Sequence, residues 1–116
     1  MEIETTDIET KKADKLAHKV YKVTRDFPRE ELYGLTSQLR KAALSVVLNI
    51  IEGFARQSKK EHKRFLEIAY GSLKETKYLI IFCHEEKLIK TVDFKTLIKD
   101  CNEIAKILWA KIQSLK

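Results

Sequence analysis

Histidines and cysteines are the first residues to test for chemistry in this chain. It contains three histidines and two cysteines in 116 residues, and such side chains, together with carboxylates, build most metal sites and acid–base catalysts. Glu61-His62 and Cys83-His84-Glu85 place candidates side by side. Neighbouring helical positions point about 100° apart, however, so neither group closes on one ion by itself. The sequence therefore predicts no metal site at either place.

The spacing of the histidines excludes the common catalytic motifs. His18, His62 and His84 form neither an HExxH pair nor the ExxH pattern of di-iron bundles, and the chain has no glycine-rich phosphate loop. Cys83 and Cys101 fall on apolar stripes of predicted helices, which favours buried free thiols over a disulfide bridge. We therefore expect no enzymatic activity, no metal and no cofactor.

The strongest binding signal is a short basic run from Arg56 to Arg64. It carries five bases against one acid, Glu61; the bases are Arg56, Lys59, Lys60, Lys63 and Arg64. A helix is predicted to start here, and the free N–H groups and positive dipole end of a helix start attract anions. The run is interpreted as a phosphate-binding corner, with a merely solvated basic corner as the alternative. Arg40 and Lys41 either extend this patch or pair with acids of a neighbouring chain.

The distribution of charge agrees with a polyanionic partner. The net charge is +6, but the first ten residues carry four acids and no base, so the other 106 residues carry +10. A compact body with this charge attracts nucleic acid, although the same excess can serve solubility alone.

Hydrophobic periodicity predicts four helices that would position these residues. Pro28 ends the first, Ser58 with Glu61 forms a capping box at the start of the third, and Asp93 is the expected N-cap of the last. The predicted spans are 10–26, 35–55, 59–86 and 93–116. We expect an all-α, up-down-up-down antiparallel four-helix bundle in one domain, 1–116, whose acidic residues 1–9 are frayed or lead into the first helix.

The second predicted helix is apolar on two sides. Its core face contains Leu35, Leu39, Ala42, Ala43, Val46, Ile50, Gly53 and Phe54, and the opposite face contains Leu44, Leu48, Ile51 and Ala55. The second face calls for another apolar partner and predicts a subunit interface. A polar seam between the faces contains Gln38, Lys41, Ser45, Asn49, Glu52 and Arg56. Asn49 and Glu52 are interpreted as structural hydrogen-bonding residues rather than ligands.

Several residues of helices three and four carry further expectations. Ile68 is placed on the core face, and Trp109 is expected to fill a gap in the core. Gly71 lies in mid-helix, where a close approach by another helix of this chain or of a second one would explain it. Tyr78, Ile81 and Phe82 lie off the core stripe and form a second candidate subunit contact.

No apolar run approaches the roughly 18–20 residues that cross a bilayer. The start, MEIETTDIET, is acidic where a signal peptide is basic and then apolar. A cytoplasmic protein without membrane contact is expected.

Four stretches together form a recognisable pattern: Tyr33–Ala43, Asn49–Gly53, Ser58–Glu61 and Phe65–Glu75, with Phe27-Pro28 and Glu31 before them. This pattern resembles that of the four-helix bundle family of ribosomal-RNA intervening-sequence proteins. The resemblance implies a small bacterial four-helix bundle that assembles as a ring-like pentamer. A related branch, the accessory proteins of diversity-generating retroelements, is basic, pentameric and binds nucleic acid and a reverse transcriptase.

The chain departs from the family pattern in two places. Val46–Gly53 lacks the usual proline and gains Leu48 and Ile51, which makes helix two straighter and its second face more apolar. The tryptophan near the start of helix one is also missing. The function hypothesis is a homo-oligomer that binds structured RNA or DNA. The alternatives are an adaptor for a protein such as a reverse transcriptase and a self-assembling bundle whose charge serves solubility.

Overall fold

The computed structural model describes residues 7–115, which form four α-helices and no strand. The helices are α1 (Ile8–Thr24), α2 (Ser37–Phe54), α3 (Lys59–Glu85) and α4 (Thr91–Ser114). The predicted all-α class with four helices is confirmed. Residues 1–6 of the predicted acidic tail lie outside the described residues, whereas residues 7–9 belong to the start of α1. There Asp7 caps the helix by accepting a 2.8 Å hydrogen bond from Thr10 N.

The starts of α3 and α4 show where capping was and was not predictable. Ser58 Oγ accepts a hydrogen bond from Glu61 N at 3.1 Å, as expected for the cap of α3. The prediction that Asp93 is the N-cap of α4 was wrong. The helix starts earlier, at Thr91, and its N-cap is Lys90, whose backbone is extended. Asp93 lies in the first turn instead, where its charge still stabilises the positive end of the helix.

An irregular segment separates α1 from α2. After Pro28, a 3₁₀ turn spans Arg29–Glu31 and a wider π-type turn spans Leu32–Thr36. Gly34 lies in this turn with non-helical angles of φ −114° and ψ −108°. The chain is kinked at this glycine, and α2 starts two residues later than the periodicity indicated.

The link from α3 to α4 is a Schellman turn. Leu88 N donates to Cys83 O at 2.8 Å, and Lys87 N donates to His84 O at 3.0 Å. Lys87 has a φ of 64°, a left-handed conformation that glycine usually supplies. A lysine there costs roughly 1 kcal/mol, which burial of the nearby Ile89 helps to offset.

The core lies between the four helices. α2 packs against α1 and α3, and α4 packs against the same two helices. Among the side chains with no more than 2% exposure are Leu16, Val20, Leu39, Val46, Ile50, Leu66, Leu73, Ile80, Leu97, Ile104 and Leu108. Cys83 and Cys101 lie in this core as free thiols, as predicted. Burial raises their pKa values to about 11 and about 12, respectively.

One glycine, but not the predicted one, permits a close helix approach. A Cβ on Gly53 of α2 would lie 3.1 Å from His62 Cδ2 and 3.3 Å from both His62 O and Phe65 Cβ. A Cβ on Gly71 would meet no atom of residues 7–115 within 4 Å outside its own turn of helix. The prediction that another helix of this chain approaches Gly71 closely was therefore wrong.

Three large side chains assigned to the core are exposed. Phe54, Ile68 and Trp109 have exposed fractions of 40%, 40% and 53%. Each lies at the edge of its apolar stripe, where the neighbouring helix no longer covers the side chain. Trp109 packs against Tyr70 instead of filling a gap in the core.

Candidate nucleic-acid interface

Three lysines mark the corner where α2 passes into α3. Lys59 and Lys60 are exposed and Lys63 is half-buried. Within residues 7–115, none of the three forms an ion pair. Their charges are therefore available to an anion, next to the free N–H groups of the first turn of α3.

Two arginines of the same corner are held by an aromatic ring. The guanidinium carbons of Arg56 and Arg64 lie 4.7 and 5.3 Å from the centroid of the Phe65 ring. Arg56 also pairs with Glu52, and Arg64 Nη1 lies 3.6 Å from Glu61 Oε2. Because both arginines have an acidic partner, the three lysines supply most of the excess charge. We call Arg56, Lys59, Lys60, Lys63 and Arg64 the basic corner.

Arg40 and Lys41 do not join the basic corner. Arg40 lies sixteen residues before Arg56, which corresponds to about 24 Å along α2. Its Nε donates to Thr24 Oγ1 at 2.8 Å, and its guanidinium lies 4.4 Å from the centroid of the Tyr21 ring. Lys41 is exposed beside it. The structure thus brings together five of the seven residues assigned to nucleic-acid binding, while Arg40 ties α2 to α1.

A cation from α4 reaches the corner, and the sequence did not indicate it. Lys111 Nζ lies 5.6 Å from the centroid of the Phe54 ring, which in turn lies 4.8 Å from the His62 ring. Lys111 is distant from the basic run in the sequence. Only the packing of the last helix places it there.

The polar seam of α2 makes hydrogen bonds to α3 at its centre. Ser45 Oγ and Ser72 Oγ are 2.8 Å apart, and Asn49 Nδ2 donates to Ser45 O at 2.8 Å. Glu52 pairs with Arg56, and Gln38 is exposed near the start of the helix. In this chain the middle of the seam joins α2 to α3.

The second apolar face of α2 is open to solvent in this chain. Leu44, Leu48 and Ile51 are 36%, 60% and 45% exposed, and Ala55 is exposed as well. On α3, Tyr78 is 62% exposed, whereas Ile81 and Phe82 are half-buried. No described helix of this chain covers these side chains completely.

Comparison with known proteins gives the family and the fold. The model of the 23S rRNA-intervening sequence protein family matches residues 7–110. The chain belongs to this family. It is also similar to the crystal structure of a protein of unknown function from the S23 ribosomal protein family of Bacteroides thetaiotaomicron. The TM-score is 0.82 at 22% identity, over 90% of this chain and 98% of that one. No curated protein is a significant match.

The family match extends over the basic corner, the polar seam and almost all of α4. Within the described part of this intervening-sequence protein, no three His, Cys, Asp or Glu residues are grouped so as to hold a metal ion. No helix in the same part is long and apolar enough to cross a membrane.

A groove between α3 and α4 was not predicted. Its lining residues are Tyr70, Lys74, Asn102, Ala105, Lys106 and Trp109. The available signal was the position of Trp109, one residue past the buried Leu108 and so about 100° away from the centre of the stripe. Trp109 was expected to fill a gap in the core, although its position beside the stripe indicated the edge.

Proposed function

We propose that this protein is a non-enzymatic, cytoplasmic, homo-oligomeric four-helix bundle that binds structured RNA or DNA through phosphate contacts. Its helices run up-down-up-down and its subunits form a ring, a pentamer by its resemblance to the family. The observation that carries the proposal is the basic corner, where Lys59, Lys60 and Lys63 have no acidic partner among the described residues. The family match is to 23S rRNA-intervening sequence proteins, so RNA is the first polyanion to test.

The contacts proposed at the basic corner are electrostatic. Lysines are compact point charges that bind phosphate oxygens without reading bases. The two arginines, fixed on Phe65, add donors at defined positions on either side of the lysines. Binding of this kind is independent of sequence and weakens steeply with salt.

The ring multiplies the basic corner. We propose that Leu44, Leu48, Ile51 and Ala55, with the Tyr78, Ile81 and Phe82 surface, join one subunit to the next. A ring repeats the basic corner once in each subunit. Several weak phosphate contacts on one polyanion then raise the overall affinity without new base contacts.

The test replaces four bases of the corner with glutamine. Lys59→Gln, Lys60→Gln, Lys63→Gln and Arg64→Gln together remove four positive charges, so affinity for duplex RNA should fall. The slope of log K against log salt should flatten by about 0.7–0.9 for each phosphate that the variant no longer neutralises. Fluorescence anisotropy of a labelled duplex at several salt concentrations measures both quantities.

A matched control separates the corner from net charge. Lys11, Lys15, Lys22 and Arg25 are exposed residues of α1 and its end, and their replacement by glutamine removes the same four charges elsewhere. The control should keep most of the affinity and slope. Equal losses in the two variants would refute the basic corner and leave only a general charge effect.

An adaptor role is the second candidate, favoured by the 60% exposure of Leu48 in the middle of the second face. A protein partner, such as a reverse transcriptase, would bind that face, and nucleic acid would bind the joint complex. Co-purification of a protein partner, together with no nucleic-acid binding by the chain alone, supports this candidate over the first.

A further inference from the structure

Two aromatic rings lie at the surface of a groove between α3 and α4. The groove has a volume of about 480 Å³, within the roughly 300–1,000 Å³ typical of ligand sites. Trp109 is 53% exposed, and its ring centroid lies 5.6 Å from that of Tyr70 with the planes tilted by 46°. The exposed indole presents a large flat surface to any ligand in the groove.

The groove is positively charged. Lys74 Nζ lies 5.2 Å from the centroid of the Tyr70 ring, and Lys106 is exposed on the other wall. Neither lysine forms an ion pair with a described residue. None of the described residues that line the groove is acidic.

The acidic residues of α4 nearest to the groove form ion pairs with lysines of α1. Asp100 Oδ2 lies 2.6 Å from Lys19 Nζ, and Glu103 Oε2 lies 3.1 Å from Lys12 Nζ. The hydrogen bond from Lys12 and its charge lower the pKa of Glu103, in agreement with this pairing. The α1 lysines therefore neutralise the acids that would otherwise offset the charge of the groove.

A second groove continues the basic surface along α4. It has a volume of about 500 Å³, shares Asn102 and Lys106 with the first groove, and adds Lys95 and Lys99 to the cations along the path. The acid in its described lining is Glu103, which is paired with Lys12. The span from Lys95 to Lys106 is about 16 Å of helix. A path of cations beside exposed rings is the arrangement that binds single strands, whose backbone follows the charge while bases stack on the rings.

We propose that the Tyr70–Trp109 groove binds an unpaired nucleotide of RNA or DNA, with its base stacked on the exposed face of Trp109 and the flanking phosphates at Lys74 and Lys106. Asn102 lies on the groove wall, where its amide can donate to or accept from the edge of the base. Two lysines and no acid make the groove complementary to a nucleotide rather than to an apolar segment. This inference rests on the proposed nucleic-acid function and deepens it, because phosphate contacts at the basic corner do not require an unpaired base.

Trp109 is the single tryptophan of the chain, so its fluorescence reports on this groove alone. A short oligoadenylate should quench the emission on binding, because the stacked base covers the indole. A duplex of the same length should bind with little quenching, since its bases are already paired and stacked.

Variants measured by anisotropy with labelled oligonucleotides complete the test. Trp109→Ala should weaken oligoadenylate binding by about five- to 160-fold, the range expected for loss of one stacked base, and leave duplex binding unchanged. Trp109→Phe is the matched control that retains a ring and should keep most of the affinity. Lys106→Gln should weaken oligoadenylate binding and flatten its salt dependence. Circular dichroism checks that each variant is folded.

The outcomes separate this inference from the function on which it rests. Oligoadenylate binding with unchanged tryptophan emission, or with equal affinity for the Trp109→Ala variant, overturns the nucleotide groove and leaves the basic corner intact. No binding of either oligonucleotide overturns the proposed function and this inference together. An emission change that follows protein concentration and not oligonucleotide shows that a second copy of the chain covers the groove, which also overturns the inference.

Discussion

His62 shows how a single residue is constrained at the corner of α2 and α3. Its Cδ2 lies 3.1 Å from the position of a Cβ on Gly53, and its ring lies 4.8 Å from that of Phe54. Its Nε2 is enclosed and has no hydrogen-bond partner within residues 7–115. Desolvation, and then the charge of Lys111, lower the pKa of His62, while Glu9 acts in the opposite direction.

The stability of the protein should therefore decrease as His62 becomes protonated. Because its pKa is lower in the folded state, the unfolded chain binds the proton first. Stability is complete above the ordinary histidine pKa of about 6.5 and falls as pH drops from there towards the lowered pKa of the folded state. Urea unfolding midpoints measured between neutral and mildly acidic pH test this expectation.

His18 provides the control for this pH effect. It has an 80% exposed side chain and lies 3.4 Å from Asp14. His62→Gln should reduce the loss of stability across this pH range, whereas His18→Gln should retain it. The same loss in the His62→Gln variant would contradict the assignment.

At the scale of helices, two glycines differ in their surroundings. Gly53 lies where α2 and α3 approach closely, whereas Gly71 lies on an open surface of α3. Gly53→Ala should destabilise the fold by about 1–3 kcal/mol, because the added methyl group pushes α2 from the backbone of α3. Gly71→Ala should stabilise it by roughly 0.5–1 kcal/mol, because alanine favours a helix and no described atom outside its own turn of helix lies within 4 Å of the added Cβ. Chemical denaturation at low protein concentration measures both changes. Destabilisation by Gly71→Ala would instead indicate a second helix packed on that position.

Helical periodicity predicted the four helices but not all of the contacts and grooves between them. It placed Leu39, Val46 and Ile50 correctly in the core. These residues lie at the centre of an apolar stripe, which a neighbouring helix covers, so their position around the helix is sufficient to predict burial. Periodicity failed for Phe54 and Ile68, which are each 40% exposed, because coverage at the edge of a stripe depends on where the next helix ends. The basic corner was visible because its five residues lie within the nine-residue run 56–64. The groove was not, because its two walls come from different helices.

At the scale of the whole molecule, the exposed apolar residues set an expectation for assembly. Leu44, Leu48 and Ile51 follow one another along α2, and such a row rarely stays in water. Light scattering should therefore give a mass several times the 13.6 kDa of one chain, five times if the family resemblance extends to subunit number.

Leu48→Glu tests which surface holds the subunits together. Leu48 is 60% exposed, so the substitution should dissociate the assembly without unfolding the chain. Val92 is 69% exposed on α4, outside the proposed interface, and Val92→Glu should leave the mass unchanged. A monomeric native protein, or an assembly insensitive to Leu48→Glu, would contradict the proposed interface.

Burial of the two thiols determines how fast the protein is damaged by oxidation. Oxidants react with the thiolate, and Cys83 and Cys101 are protonated in the folded chain because burial raises their pKa values to about 11 and about 12. The folded molecule is thereby protected from thiol oxidation, and damage is confined to the small fraction of chains that are open at any moment. A substitution that loosens the core would raise that fraction and shorten the chemical lifetime of the protein, even if binding were unchanged.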